Sequence, residues 1–515
     1  MGMRARNGHI FLICLFSLTG AGLTQSEGFY KDLFLDGGVE LYSRDEFFAA
    51  DSLGLSWEYL ATEDTDLQEQ VLIGEAIDLN GRLLYPDGAP RYRMLYTNGG
   101  QSSSHGESLG ETGLQRVRTF FAQGGSYGGS CAGAFISSLH WEAEGINPDY
   151  YHIWPGRCWR THLFDTDTDH DIPDSSPLLA YHGFGPHNRV HHVYHTGGCA
   201  ADEFIDWPQG TEVLARFHYP PDDDIDGRCS AWAFKAADTS GRIVVIGSHP
   251  EFEDDGEGLD LMKAMLQYAL EGVAEPRLKA DLVSGEPRTM DRGWEDDDPA
   301  YTRIGDRQIH HFRIPVPLGT DTLVISLDGE AGYDFRLYAN PGTYALPSLA
   351  QACAIAEGDD QLLVVPLPVA GDWYIAVELA TTVNVAGQIY FSNLAVLNGL
   401  AYTLTATADS SGAVTLAESI TLPHRFSLSA APNPFNPVTQ LSFTLEQAGF
   451  VTLRVHDLRG RTVKRLVSDG WLPTGVHRVA WDGMDEDGRS VPAGVYVAAL
   501  TRSRHQECLK LLLLK

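Results

Sequence analysis

Residues 124–137 read Gly-Gly-Ser-Tyr-Gly-Gly-Ser-Cys-Ala-Gly-Ala-Phe-Ile-Ser, and the reading of the first half of the chain turns on them. Within this stretch Gly129-Ser130-Cys131-Ala132-Gly133 has glycine two residues before and two after a cysteine, the pattern of a nucleophile elbow. A nucleophile at a sharp strand-to-helix turn is conformationally strained, and its flanking positions must be tiny for the turn to close. The helix expected after Cys131 points its positive end at the sulfur and favours the thiolate. The Ala132 N–H is expected to stabilise an oxyanion, with Gly99 and Gly100 supplying further donors from a neighbouring strand end.

A cysteine nucleophile needs a base. His249-Pro250-Glu251 follows the apolar run Arg242–Ile246. A histidine at that strand end can face Cys131 across the carboxyl edge of a sheet. Glu251, two residues on, can hold the imidazole in the right tautomer. The catalytic set expected is therefore Cys131, His249 and Glu251.

Around this core, Arg93–Tyr96 is an apolar run leading into Thr97-Asn98-Gly99-Gly100. Leu109–Ala122 and Leu259–Leu270 carry apolar residues at helical spacing. Strands alternating with helices predict a parallel α/β sheet over residues 27–276. From about 281 the pattern changes to short alternating strands such as Leu323–Leu327, Asp334–Tyr338, Leu362–Val365 and Trp373–Val377. A third block follows, with alternation at Leu441/Phe443/Leu445, Val451/Leu453/Val455 and Val495–Leu500. The expected fold class is multidomain: an α/β parallel sheet followed by two all-β sandwiches, immunoglobulin-like or jelly-roll-like.

Tyr127–Ala134 together with His249-Pro250-Glu251 resembles the class I glutamine amidotransferase-like superfamily, most closely the branch known as the biotin-protein-ligase N-terminal domain. Val193-Tyr194-His195-Thr196-Gly197-Gly198 resembles that branch's glycine-containing strand, which suggests Tyr127, Gly197 and Gly198 as substrate-groove residues. The resemblance covers roughly residues 35–275 and implies a flavodoxin-like sheet carrying the Cys131–His249–Glu251 triad. True glutamine amidotransferases usually have Gln four residues after the nucleophile, where this chain has Phe135. No synthetase or biotin-ligase catalytic domain accompanies the stretch. The resemblance thus implies hydrolysis of an amide, peptide or ester bond by a free-standing domain, or a non-catalytic surface binding protein that has kept the elbow. No cofactor or resident metal is expected.

The downstream blocks carry resemblances too. His311–Pro317, Tyr333–Tyr338, Gly371–Ile375 and Ala401–Leu404 look like the bacterial pre-peptidase C-terminal domain, spanning 281–408, with 409–423 as a linker. Pro432–Pro437, Val455–Arg461, Trp481-Asp482-Gly483, Ala493–Tyr496 and Lys510–Lys515 make 424–515 resemble the C-terminal sorting domain of type IX secretion cargo and the related FlgD immunoglobulin-like domain. Such a tail implies export and engagement of secretion machinery.

Two other motifs are weighed against plainer readings. His182, His187, His191, His192 and His195 fall close together, and a zinc site stands beside a groove or surface role. Asp165, Asp167, Asp169 and Asp171 alternate as in a calcium loop. His170 and Ser176 stand where that loop needs Gly and Glu, so a solvated acidic loop is the favoured reading.

Composition bounds the rest. The 515 residues are 43% hydrophobic and 10% aromatic, enough to bury sizeable cores, and the net charge is −32. The tail 424–515 holds 12 Lys/Arg against 8 Asp/Glu, a net +4; with Arg4 and Arg6 set aside, residues 26–423 carry −38. So acidic a body excludes nucleic-acid binding through a general basic surface. Met1–His9 is short and basic, Ile10–Leu18 is greasy, and Gly20-Ala21-Gly22 is small, so 1–25 reads as a secretory signal peptide. No later apolar run is long enough to span a membrane, and the mature chain is expected to be secreted or at the cell surface. Cys158, Cys199 and Cys229 allow three pairings, among which the sequence does not choose.

Overall fold

The computed structural model describes residues 27–42, 46–60, 79–140, 145–205, 207–221, 223–293, 298–386, 389–409, 428–445, 449–457, 461–472, 475–486, 489–502 and 505–514. The signal peptide and nearly all of the linker lie outside these residues. The chain divides into two compact units, Met1–Gly412 and Ala413–Lys515.

The first unit opens with β1 (Lys31–Asp36), α1 (Phe48–Ser52), β2 (Trp57–Leu60), β3 (Tyr92–Thr97), α2 (Ser102–Ala122), β4 (Ser126–Ser130) and α3 (Ala132–Ser137). Then come β5 (Cys158–Arg160), β6 (Thr166–Asp171), β7 (Arg189–His195), β8 (Cys199–Ala201), β9 (Glu212–His218), β10 (Cys229–Phe234), β11 (Ile243–Ile246) and α4 (Gly256–Leu270). One nine-stranded sheet has the order β2-β1-β3-β4-β11-β10-β9-β6-β7. Helix α2 begins earlier than the periodicity suggests and is kinked at Gly110, whose φ is 58°.

The expected flavodoxin-like parallel sheet is not what this region builds, and the described chain as a whole is mostly strand. Strands β2, β1, β3, β4 and β11 pair in parallel, but β10, β9, β6 and β7 join antiparallel. The reason lies in the connections. A parallel crossover takes a dozen or more residues and usually a helix. Between β6 and β10 the only helical piece described is the 3-10 turn Pro177–Ala180, and the strands here pair antiparallel, β6 with both β7 and β9. The mixed half also curls back. The His249 N–H, just past β11, donates to the Tyr194 carbonyl of β7 at 2.9 Å, although three strands separate β11 from β7 in the sheet.

The same unit continues through β12 (Leu278–Asp281), β13 (Pro287–Met290), β14 (Ile309–Val316), β15 (Thr322–Gly329), β16 (Phe335–Pro341), β17 (Ala352–Ala354), β18 (Gln361–Pro366), β19 (Gly371–Leu379), β20 (Asn384–Ala386), β21 (Ile389–Ser392) and β22 (Tyr402–Asp409). They form a five-stranded sheet, β12-β14-β19-β16-β17, a four-stranded sheet, β13-β22-β15-β18, and the hairpin β20-β21. Period-2 burial along β15 and β18 follows from one face meeting the core and the other meeting water. Phe312, Ile314, Leu323, Ile325, Trp373 and Leu404 share one apolar cluster with Phe34, Leu95 and Trp232 of the first sheet's side.

A buried ion pair joins the nine-stranded sheet to these β-strands. Arg91 donates through Nε (3.1 Å) and Nη2 (3.0 Å) to both carboxylate oxygens of Asp306. Both side chains are almost fully buried, and the Arg91 guanidinium stacks 4.3 Å from the Tyr30 ring centroid. Tyr85 Oη donates to the Asp306 carbonyl at 2.9 Å.

In the second unit, Leu428–Ala431, Thr439–Leu445 and Gly475–Trp481 form a three-stranded sheet. Thr462–Leu472, Gly449–Asp457, Gly494–Arg502 and His505–Leu513 form a four-stranded one. Phe435, Leu441, Leu453, Trp481 and Leu511 fill the core. Asn433 clamps the last strand, accepting from Leu512 N at 2.8 Å and donating to Lys510 O at 2.7 Å.

Removing one partner of a buried pair strands the other charge. Asp306→Ala is expected to destabilise the first unit by about 3–5 kcal/mol, read as a lowered urea midpoint. A loss within ~0.5 kcal/mol would show that Arg91 does not depend on Asp306.

Candidate active site

Cys131 sits between β4 and α3 with φ 47° and ψ −100°, a strained conformation for a residue with a Cβ. Its neighbours show why the surrounding sequence is so small. A Cβ on Gly129 would lie 2.7 Å from the Gly133 backbone, and one on Gly133 would lie 2.2 Å from the Thr97 carbonyl oxygen. The turn closes only because both are glycine. Cys131 N–H donates to Ile246 O at 2.9 Å, tying the turn to β11. The side chain is 4% exposed, and its Sγ lies 3.8 Å from the Thr196 carbonyl oxygen.

His249 follows β11 at the same sheet edge and is fully buried. Its Nδ1 is 2.9 Å from Glu251 Oε1. Its Nε2 has no hydrogen-bond partner, and the Cys131 sulfur acts on the ring electrostatically. Burial works against charging this imidazole, but the Glu251 carboxylate and the Cys131 sulfur outweigh it and raise its pKa to about 10. The ring is stacked on Phe252 at 5.0 Å and flanked by Tyr42 (5.5 Å) and Tyr194 (5.7 Å). The expected residues Cys131, His249 and Glu251 are therefore brought together.

The other expected residues occupy varied places. Gly99 is the seat of the imidazole: a Cβ there would lie 2.2 Å from His249 Cε1. Its carbonyl accepts from Tyr42 N at 2.7 Å. Gly100 has φ 141°, and a Cβ would meet the Glu40 carbonyl oxygen at 2.2 Å. Ala132 is the first residue of α3, where a helix leaves its N–H without an intrahelical acceptor. Tyr127 is fully buried and donates its hydroxyl to Gly133 O at 2.8 Å, so it braces the elbow from beneath. Gly197 lies against the Phe164 ring, and Gly198 packs on the Gly247 carbonyl.

Sequence reasoning missed a buried polar chain behind the site. Thr161 Oγ1 meets His195 Nε2 at 2.6 Å, and His195 Nδ1 meets Ser248 Oγ at 2.9 Å. Ser248 Oγ lies 3.3 Å from Thr168 Oγ1, which is 3.1 Å from His170 Nε2, and His170 Nδ1 reaches Ser230 Oγ at 2.8 Å. Burial lowers the pKa of His170 to about 4 and that of His195 to about 3, so both are neutral donor–acceptor bridges at pH 7. The alternation of histidine and hydroxyl residues on strands was its one visible signal.

The histidine run does not gather into a metal centre. His195 is buried in that chain, His191 pairs with Asp169 at 2.8 Å, His192 is exposed, and His182 pairs with Asp260 at 3.0 Å. Among the described residues, the group whose ligand atoms lie within 4.8 Å of one another is His162, Asp223 and Asp224. The acidic run is not a loop: Thr166–Asp171 is strand β6, with Asp171 on Arg189 at 2.6 Å and Asp169 on the His192 N–H at 3.0 Å. Cys158, Cys199 and Cys229 are buried free thiols, and Cys353 is an exposed one.

Comparison with known proteins places residues 433–506 in register with the FlgD Ig-like domain. No curated protein matches the chain. Among solved structures, PorZ, a surface component of the type IX secretion system of Porphyromonas gingivalis, is 22% identical with a TM-score of 0.14; the match covers 23% of this chain and 14% of PorZ. The pre-peptidase C-terminal domain of Bacillus anthracis collagenase is 13% identical with a TM-score of 0.18, covering 26% of this chain and 99% of that domain. A Ruminococcus gnavus β-glucuronidase is 10% identical with a TM-score of 0.13, covering 40% and 36%. These comparisons give no support to the glutamine amidotransferase-like resemblance over residues 35–275. No described helix is long and apolar enough to cross a membrane.

Because the pKa of His249 is raised on folding, its charge stabilises the fold fully below the ordinary imidazole value of 6.5, and that contribution is lost as pH rises through about 10. NMR titration of the His249 ring is expected to show it protonated through pH 8 in the wild type and to titrate lower in Glu251→Gln. An unchanged titration near 6.5 in both proteins would show that Glu251 does not hold the charge.

Proposed function

We propose that the chain is an exported cysteine-dependent hydrolase of an amide, peptide or ester bond. The observation that carries this reading is the strained Cys131 against a buried His249 whose other nitrogen is 2.9 Å from Glu251. In this reading Cys131 is the nucleophile, His249 the acid and base, and Glu251 the residue that fixes the tautomer. An imidazolium beside the sulfur favours the thiolate, which attacks the substrate carbonyl carbon. The carbonyl oxygen gathers negative charge against the Ala132 N–H, with Gly99 and Gly100 as further candidate donors. As the tetrahedral adduct collapses, the C–N or C–O bond breaks and His249 gives its proton to the departing amine or alcohol. Water then attacks the thioester, the now neutral imidazole takes its proton, and the acid leaves as the thiolate–imidazolium pair re-forms.

The substrate is a peptide or a small amide or ester, and nucleic acid is no partner for so acidic a body. The tail 424–515 serves location: a net charge of +4 and a FlgD-like match at 433–506 support engagement of secretion machinery and a secreted or surface-attached product.

Screening amide and ester libraries with wild type beside Cys131→Ala tests the reading. Cys131→Ala is expected to abolish turnover and His249→Ala to cost about 10²–10⁴-fold in kcat/KM, while the double variant is no worse than Cys131→Ala alone, because the pair acts as a unit. Full activity in His249→Ala would place the base elsewhere. Turnover by no substrate, with Cys131 unreactive, would favour a non-catalytic binding protein. Deleting 424–515 is expected to leave kcat/KM unchanged and alter where the protein accumulates; a folded truncation that loses activity would refute the division of labour.

A further inference from the structure

We infer that the Cys131 site selects cationic substrates, in which a guanidinium or ammonium lies beside the scissile carbonyl, and that Asp165 is the residue that reads this charge. The inference rests on the hydrolase reading above and names its substrate class. Asp165 is exposed, with φ 47°, a left-handed backbone that aspartate and asparagine adopt more readily than other side-chain-bearing residues. Its Oδ1 accepts from Tyr194 Oη at 2.8 Å and from Thr196 Oγ1 at 3.2 Å. Both partners belong to the nucleophile's surroundings, since the Thr196 carbonyl lies 3.8 Å from Cys131 Sγ and the Tyr194 ring lies 5.7 Å from the His249 ring. Asp165 is therefore one residue removed from each half of the catalytic pair, held there by two hydrogen bonds through the same oxygen.

Apart from the His249 imidazolium, the ionised groups gathered near Asp165 are carboxylates. Glu253 follows Glu251 by two residues, and burial together with the fields of Asp167, Asp254, Asp255 and Glu251 raises its carboxyl pKa. Glu251 itself is buried and its charge is spent on the His249 imidazolium, although its Oε2 has no hydrogen-bond partner. Among the described residues, no lysine or arginine forms an ion pair with Asp165, Asp167, Glu253, Asp254 or Asp255. Elsewhere on the same surface carboxylates are paired, as Asp171 is with Arg189 and Glu203 with Arg216. Aromatic rings stand beside the carboxylates. Phe164, 58% exposed, covers Gly197, and Tyr42 and Tyr194 flank the imidazole. Ring faces attract cations and add to the carboxylates rather than competing with them. An anionic substrate meets repulsion from each of these groups.

Charge-selective thiol reagents test this without needing turnover. Cys131 is modified by a cationic methanethiosulfonate (2-aminoethyl) and by an anionic one (2-sulfonatoethyl), and each rate is divided by that for a small free thiol. The cationic reagent is expected to be favoured by about tenfold or more, within the range that local fields give to association rates. Asp165→Asn, which keeps the side-chain shape and tolerates the left-handed backbone, is expected to cut that preference several-fold, and Glu253→Gln to cut it further. Glu286→Gln, on the surface of the β-strand region, leaves it unchanged. Equal cationic and anionic rates, or a preference untouched by Asp165→Asn and Glu253→Gln, would overturn the inference. A second arm compares kcat/KM for amides that differ only in Arg, Lys, Ala or Glu beside the scissile bond, with Arg and Lys expected to lead by tenfold or more. If no amide turns over while the reagent preference stands, the hydrolase reading has failed and the cation preference of the site has not.

Discussion

A charged imidazole with almost no access to water is the constraint on which this site depends. A buried ion is costly unless its partners are close and fixed. His249 has Glu251 at 2.9 Å on one nitrogen, the Cys131 sulfur acting on the ring, and three aromatic rings around its faces. Each of those contacts demands something of the chain. The stack on Phe252 and the reach of Glu251 come from the single 3-10 turn Pro250–Phe252, in which proline fixes the backbone. The approach to Gly99 forbids any side chain on the neighbouring strand end. Cys131 must hold φ 47° to present its sulfur.

The curled antiparallel half answers a second need. An open parallel sheet leaves its carboxyl edge to be covered by loops. Here β7 returns over that edge, and its Tyr194 carbonyl takes the His249 N–H while the Thr196 carbonyl stands over Cys131. The chain Thr161–His195–Ser248–Thr168–His170–Ser230 runs beneath this closure. The inner members can each donate and accept, which suits neutral histidines and hydroxyls and would not suit charged ones. The closure also brings glycines face to face: a Cβ on Gly198 would strike the Gly247 carbonyl oxygen at 1.9 Å.

The contrast between the halves explains what could be read from sequence. The elbow was legible because glycine at 129 and 133 reports a steric demand that no other residue meets. His249 and Glu251 were legible because the apolar run before them marks a strand end. Period-2 alternation announced β15, β16, β18 and β19 close to their observed bounds. The sheet's mixed character was not legible. β6 and β7 are rich in polar residues that face a buried hydrogen-bond chain or surface ion pairs, so they lack the apolar signature of buried strands. The acidic run looked like a loop because alternation of aspartate with threonine and histidine suits an exposed strand equally well. The roles of Tyr42, Tyr194 and Phe252 arise from tertiary closure, which has no local signal.

Four cysteines of the first unit are buried, and burial alone disfavours a thiolate, as the raised pKa values of Cys199 and Cys229 indicate. What separates Cys131 is its company. Cys199 meets another thiol, Cys158, and the Cys229 thiol is spent on the Ala231 carbonyl at 3.3 Å. Cys131 has a buried imidazole on one side and a carbonyl oxygen on the other, with the β4–α3 turn fixing both directions. Selectivity among chemically identical thiols therefore follows from the backbone: the residue at the strained turn stands where β3, β4, β7 and β11 all end, and there the fold sets a buried imidazole beside the sulfur.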